Sequence, residues 1–452
     1  MSTKSTKTVT AKNGAKFTKP NILKGNKAPL FLTNARIIDP ESGFDKKGSL
    51  LVENGKIVDF GAVLKAPQNA KVIDCKGNIL APSFIDVSVH TGEPGGSYKE
   101  NLYFTSKAAV AGGVTTINVM PDVSPVIDST NMVEFIKNRA NEKAYCNVSI
   151  FGAITKGLQG KEVAEIGLMH KAGVKGISDA NNSIHDALVM RRALEYSSNF
   201  GLTLTHFAQD KHLSEGGVLN EGAVATKLGV RGIPNAAEAI IVERDIALVE
   251  LTGGSIHFLH VSTAEAVAAI KRAKERGLKV TCSTTVHHLS LNETEAYGFR
   301  TYAKTQPPLR SEASRKAVIK GLKDGVIDFI TSDHCPRSSD QKRLTLQSSE
   351  FGVVGLETMF AATYTTLSDA GLKLPQILHY LTVTPAKFLG DKTRGRIKKG
   401  CVADLVVIDV DKKFKVNPDA FAGKAKNTPF DGVELTGKIL KTFVSGELVY
   451  EV

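Results

Sequence analysis

Between residues 84 and 334 the chain repeats one pattern eight times: a short apolar, β-branched run, then a longer stretch with helical spacing. The strand candidates are FIDVSVH (84–90), TTINVMPD (115–122), NVSIFGAIT (147–155), VKGISD (174–179), LTLTHFA (202–208), SIHFLHVS (255–262), KVTCSTTVHH (279–288) and DFITSDH (328–334). Residues 238–251 and 264–276 show the clearest helical periodicity between them. A helix between two strands carries the chain back to the same end of a sheet, so such strands lie parallel. Eight of them predict a (β/α)8 barrel, over about residues 81–390.

The flanks follow a different rhythm. LFLTNARIID, SLLVENGKIVDFG and AKVIDCKG are short strands broken by Asn-Gly, Asp-Pro and Lys-Gly. ADLVVIDVD (403–411) and KILKTFVSGELVYEV (438–452) restore that pattern at the other end, with Ser-Gly as a turn. The simplest arrangement is one small β-rich domain built by residues 29–80 and 391–452, with the barrel inserted between them. Nothing repeats at a solenoid period.

Charge matters here because a net +12 suggests nucleic acid. Residues 1–28 supply seven of those charges through seven lysines and no acid, so the remainder is only mildly basic. The segment reads as a basic flexible arm, and neither nucleic acid nor a membrane is expected as a partner. No apolar run has the length of a membrane span, and the amino terminus lacks the apolar core of a secretory signal. Five irregularly spaced cysteines with no CxxC pair argue against a disulfide framework, and a cytoplasmic setting is expected.

Chemistry in a barrel of this kind sits at the carboxyl ends of the strands. There the sequence places His90, Asp122, Asp179, His206, His260, His287 with His288, and Asp333 with His334. Imidazoles and carboxylates around one rim suit a divalent metal held by nitrogen and oxygen, which would polarise a carbonyl and acidify a bound water. Each residue alone is more often a cap or a loop hydrogen-bonding group; the joint placement points to a metal-dependent hydrolase. His257 lies three residues before His260, faces the other side of its strand and is read as structural.

From about Leu30 onward the chain resembles the amidohydrolase superfamily. More narrowly, it resembles dihydroorotases of the bacterial type that associate with aspartate transcarbamoylase. The stretches that carry the resemblance are FIDVSVHTGEPG, AAVAGGVTTINVMPD, LHVSTAEA, QPPLRSEASR, DGVIDFITSDHCP and KNTPFDG. It implies zinc-assisted opening of a cyclic amide in pyrimidine biosynthesis, with Asp333 as the catalytic acid–base group. The implied metal ligands are His90, Asp179, His206, His260 and Asp333. The implied partners are aspartate transcarbamoylase, further copies of the chain and, in an active enzyme, a small cyclic amide.

Four positions depart from the family pattern. Ser88 stands where a metal-binding histidine is usual, Gly92 where an arginine grips the substrate carboxylate, Asp122 where an asparagine assists it, and Arg337 where a histidine serves the substrate. A hydroxyl is a poor zinc ligand, and a carboxylate repels an anionic substrate. One reading is a catalytically impaired homologue, a pseudoenzyme kept as a structural partner of the transferase. The other is an active zinc hydrolase of dihydroorotate or a hydantoin- or allantoin-like ring, gripped from another side by Arg337. If metal binds, one ion is expected, nearer Asp179, His206 and His260 than Ser88.

Overall fold

The computed structural model describes residues 8–11, 13–20 and 28–452. Eight parallel strands form the central sheet: Phe84–Val89, Val114–Val119, Asn147–Gly152, Gly176–Ser178, Leu204–Phe207, Ile256–Leu259, Val280–Thr285 and Phe329–Thr331. A parallel bridge from Val89 to His334 joins the first strand to the last and closes the (β/α)8 barrel. The strands are buried on both faces because helices cover the outside and side chains fill the inside. Ile85, Val87, Met120, Phe151, Leu259 and Phe329 form the buried inner cluster. His257 belongs to this packed floor: its ring stacks on Phe329 at 4.8 Å, and its nitrogens meet Thr281 and Ser283.

The second sheet is built from both chain ends. Leu30–Asp39 pairs in parallel with Ile79–Pro82, which pairs antiparallel with Leu405–Lys415. Glu434–Val444 and Glu447–Glu451 continue the sheet as a hairpin. Leu32, Ile37, Leu50, Leu80, Leu405 and Phe443 form its own core.

Two expectations need correction. Part of the segment read as a flexible arm is a hairpin: Thr8–Thr10 pairs with Lys16–Thr18, and the latter pairs with Glu447–Glu451. The reason is Phe17, which is 1% exposed and packs against Tyr145 and Tyr450. Residues 1–7, 12 and 21–27 of that segment lie outside the described residues. The seventh strand also ends earlier than expected. Thr285 accepts a hydrogen bond from the His288 amide and starts a short helix, Val286–Ser290, so the two histidines sit on its first turn. No helix among the described residues is long and apolar enough to cross a membrane.

Candidate active site

The barrel rim divides into two halves. On the seam between the first, sixth and eighth strands lie His90, His260 and Asp333. His90 Nε2 is 3.6 Å and His260 Nδ1 3.7 Å from Asp333 Oδ1. All three side chains are almost wholly buried, at 5%, 0% and 2% exposure. His260 and Asp333 have left-handed backbones, with φ of 57° and 45°. Such geometry is strained for residues other than glycine and persists where surrounding structure enforces it.

Asp122 lies beside this seam and is 31% exposed. It accepts a 2.7 Å hydrogen bond from His90 Nδ1. Burial opposes the charged form of His90, but Asp122 and then Asp333 overcome it and raise its pKa well above the ordinary value. Burial likewise opposes the ionised forms of Asp122 and Asp333. His90 holds the first below the usual carboxylate range, and His260 with His90 does so for the second. The seam therefore sets the His90 imidazole between two carboxylates, Asp122 and Asp333.

The other half, on the fourth and fifth strands, is arranged differently. Asp179 Oδ1 accepts the amides of Ile154 and Thr155 at 2.8 and 2.9 Å, and Oδ2 accepts the Thr155 hydroxyl. Burial pushes its carboxyl pKa up despite these donors. His206 Nδ1 donates to Asp245 at 2.7 Å, and its Nε2 accepts the Ile184 amide at 2.9 Å. Asp245 and His206 are fully buried.

These contacts test the expected zinc. A metal needs a free lone pair on each ligand. His206 has given its available one to a backbone amide, and both Asp179 oxygens are held by protein donors. Among the buried rim atoms without hydrogen-bond partners are Ser88 Oγ, His90 Nε2, both nitrogens of His260 and His287, Asp333 Oδ1 and His334 Nδ1, and, beside the fourth and fifth strands, Asn181 Oδ1, Thr205 Oγ1 and Gln209 Oε1. Of the three residues expected to favour a metal, Asp179, His206 and His260, only His260 keeps open nitrogens, and it lies beside Asp333. Among the described residues, no three His, Cys, Asp or Glu side chains are set to hold a metal ion. With Asp179 and His206 engaged by protein donors, the five expected ligands do not together fit the one expected zinc ion.

The substrate-gripping positions are also changed in shape. Gly92 donates its amide to Glu100 O at 3.0 Å and accepts that of Gly96. A Cβ on Gly92 would sit inside the Gly96 and Glu100 carbonyl oxygens. The loop is closed around a glycine, so an arginine there requires a different backbone path. Arg337 donates Nε to Phe351 O at 2.6 Å and lines one small cavity with His90, Gly92 and Asp122. Its volume is about 200 Å³, below the roughly 300–1,000 Å³ of ordinary ligand sites. Ser88 is fully buried, and strand pairing slips between Asp86 and Val89. Such bulges re-aim side chains at barrel rims.

Two histidines from the expected rim serve structure. His334 meets Glu100 at 2.7 Å, and His288 bridges Thr285 and the Pro307 carbonyl. Burial lowers the pKa of His288 to about 3 and of His287 to about 4. Sequence reasoning missed Asp245, Ile184 and Glu100. Asp245 alone left a signal, a carboxylate within an apolar helical stretch, Ala236–Thr252.

Comparison with known proteins agrees with this architecture. A dihydro-orotase-like family model matches residues 77–266, and an amidohydrolase family model matches residues 320–450. The dihydroorotase of Wolbachia sp. subsp. Drosophila simulans is 43% identical over 420 residues, covering 92% of this chain and 95% of that protein. The Ehrlichia canis dihydroorotase is 43% identical over 422 residues, covering 92% and 94%. Among solved structures, the L-hydantoinase (dihydropyrimidinase) of Arthrobacter aurescens superposes with a TM-score of 0.84 at 24% identity, over 94% of this chain and 96% of that one. That last likeness is one of fold.

Proposed function

The chain belongs to the dihydroorotase family of amidohydrolases, and on that premise we propose that it is a catalytically impaired member acting as a structural partner of aspartate transcarbamoylase in pyrimidine biosynthesis. The observation that carries the reading is the pairing of Asp179 and His206 with protein donors. A family that works through a bound metal needs those lone pairs. The closed Gly92 loop and the carboxylate at Asp122 add to it, since both oppose an anionic substrate. Support for the partner role is indirect. The chain keeps a complete barrel and a sheet made from both its ends while its site has changed, and a fold kept without its chemistry is kept for its surface.

The test is an assay of dihydroorotate hydrolysis on the purified chain, with its zinc content measured alongside. Turnover is expected far below the roughly 1–1,000 per second of ordinary enzymes. Co-expression with the transferase of the same organism should give a complex that survives gel filtration. Robust turnover, or separate elution of the two proteins at micromolar concentration, overturns the corresponding half of the proposal. A specific observation favours the alternative, an active hydrolase of a related cyclic amide: Arg337 faces the same cavity as His90 and Asp122. Turnover of a hydantoin or of allantoin would select it.

A further inference from the structure

Outside the rim cluster, a second cavity of about 510 Å³ opens beside the first. Tyr98, Lys99 and Arg337 line both, so they form the wall between them. Lys342, Lys424 and Lys426 line the outer one as well, against a single acid, Asp340.

The hydrogen bonds of these cations go to carbonyl oxygens. Lys424 Nζ donates to Tyr98 O at 2.6 Å, and Lys426 Nζ to Phe421 O and Gly423 O at 2.7 and 2.9 Å. Lys342 Nζ donates to Glu350 O at 2.7 Å, and Arg337 Nε to Phe351 O. A carbonyl satisfies an N–H but leaves the charge uncompensated. Many cations elsewhere meet carboxylates, as Lys274 does with Asp328 and Arg394 with Asp404, although Lys304 also donates only to carbonyls. Among the described residues, no ion pair joins a carboxylate to Lys99, Arg337, Lys342, Lys424 or Lys426.

The acids nearby compensate little. Glu100 is engaged by His334, and burial raises the Glu357 pKa to about 7. Glu350 and Asp340 remain, with Asp122 acting on Arg337 from the inner cavity and Asp419 on Lys426, against five basic side chains. Lys342 is 3% exposed, and burial lowers its pKa to about 7, so holding its charge there has a cost that an anion would relieve.

We propose that this outer cavity binds a small phosphate-bearing anion. Three observations select that class. The volume falls in the range of small-molecule sites. The cations are mostly point-charge ammoniums approaching from different loops, which suits an anion with oxygens in several directions better than one planar carboxylate. Ser338, Ser339 and Asn427 add polar groups at the same wall. The inference does not depend on whether the barrel retains hydrolysis.

Isothermal titration of the full chain with inorganic pyrophosphate tests it, at about pH 7.5. Saturable one-to-one binding is expected, weakening when salt rises from about 50 to 200 mM. Lys99→Gln with Lys424→Gln should weaken it about tenfold or more, with thermal unfolding unchanged; Lys99→Gln alone serves if the double variant misfolds. Succinate, the dicarboxylate comparator, should bind at least about tenfold more weakly. No saturable binding at millimolar pyrophosphate, undiminished binding by the variant, or succinate binding as tightly overturns the proposal.

Discussion

The two halves of the rim started from the same kinds of residues and ended in opposite states. On the fourth and fifth strands, every polar atom of Asp179 and His206 that could reach a metal is bonded to protein. On the first, sixth and eighth strands, His90, His260 and Asp333 retain unpartnered atoms, with both imidazoles 3.6–3.7 Å from Asp333 Oδ1. A buried polar group is stable when a partner satisfies it, whichever partner that is. The comparison teaches that ligand identity, which a sequence displays, and ligand availability, which backbone amides decide, are separate properties.

The largest expected difference between the halves is in stability. Asp245→Ala would leave the His206 Nδ1–H without its acceptor in a fully buried site, and a stranded buried donor costs about 1–3 kcal/mol. Asp122→Ala removes a pair that is 31% exposed on one side, and a loss below about 1 kcal/mol is expected. Urea unfolding of both variants measures the contrast, and equal losses would break it.

Metal affinity should separate the halves next. Ser88→His adds a donor on the open side and should raise zinc affinity on the order of tenfold. Thr155→Val frees only Asp179 Oδ2 and leaves His206 Nε2 held by the Ile184 amide, so affinity should change little. Competition against a chromophoric chelator reads both. A gain from Thr155→Val but not from Ser88→His would reverse the assignment of open and closed.

The smallest effect is on the pH dependence of stability, where the halves should differ in sign. The Asp179 pKa is raised by burial, so its stabilising contribution is complete below the ordinary value of 3.8 and is lost as pH rises through its folded pKa. The Asp122 pKa is lowered by His90, which outweighs burial, so its contribution is present above 3.8 and is lost as pH falls through its folded pKa. Asp179→Asn and Asp122→Asn should therefore change the slope of stability against pH in opposite directions between about pH 3 and 5. Changes in the same direction would mean the two carboxylates share one environment.

The barrel was legible in the sequence because its signals are local. Each of the eight strands is a short run rich in apolar and β-branched residues or bounded by them, and the helix over Ala264–Glu275 shows its buried alanines and valine at regular spacing. The rim positions of His90, Asp179, His260 and Asp333 follow from that frame. What could not be read are pairings across long sequence distances. Asp245 reaches His206 from 39 residues away and the Ile184 amide from 22. No periodicity encodes them, and the amide of Ile184 would be there whatever its side chain. The shape of the Gly92 loop was not legible for a related reason. A glycine in place of an arginine looks like a lost contact, whereas the carbonyls of Gly96 and Glu100 show a backbone closed over the space.

The amino-terminal hairpin has a consequence for how this molecule meets others. Lys16–Thr18 pairs with Glu447–Glu451, and Thr8–Thr10 lies outside it as the last strand of the sheet. Cutting away residues 1–28 would uncover the backbone of Glu447–Glu451 and the apolar seat of Phe17 together. Unpaired strand backbone beside an apolar patch is a template for joining another chain edge to edge. A truncated protein would thus acquire a sticky margin that the intact one lacks, and any association it shows would report that margin rather than the loss of seven lysines.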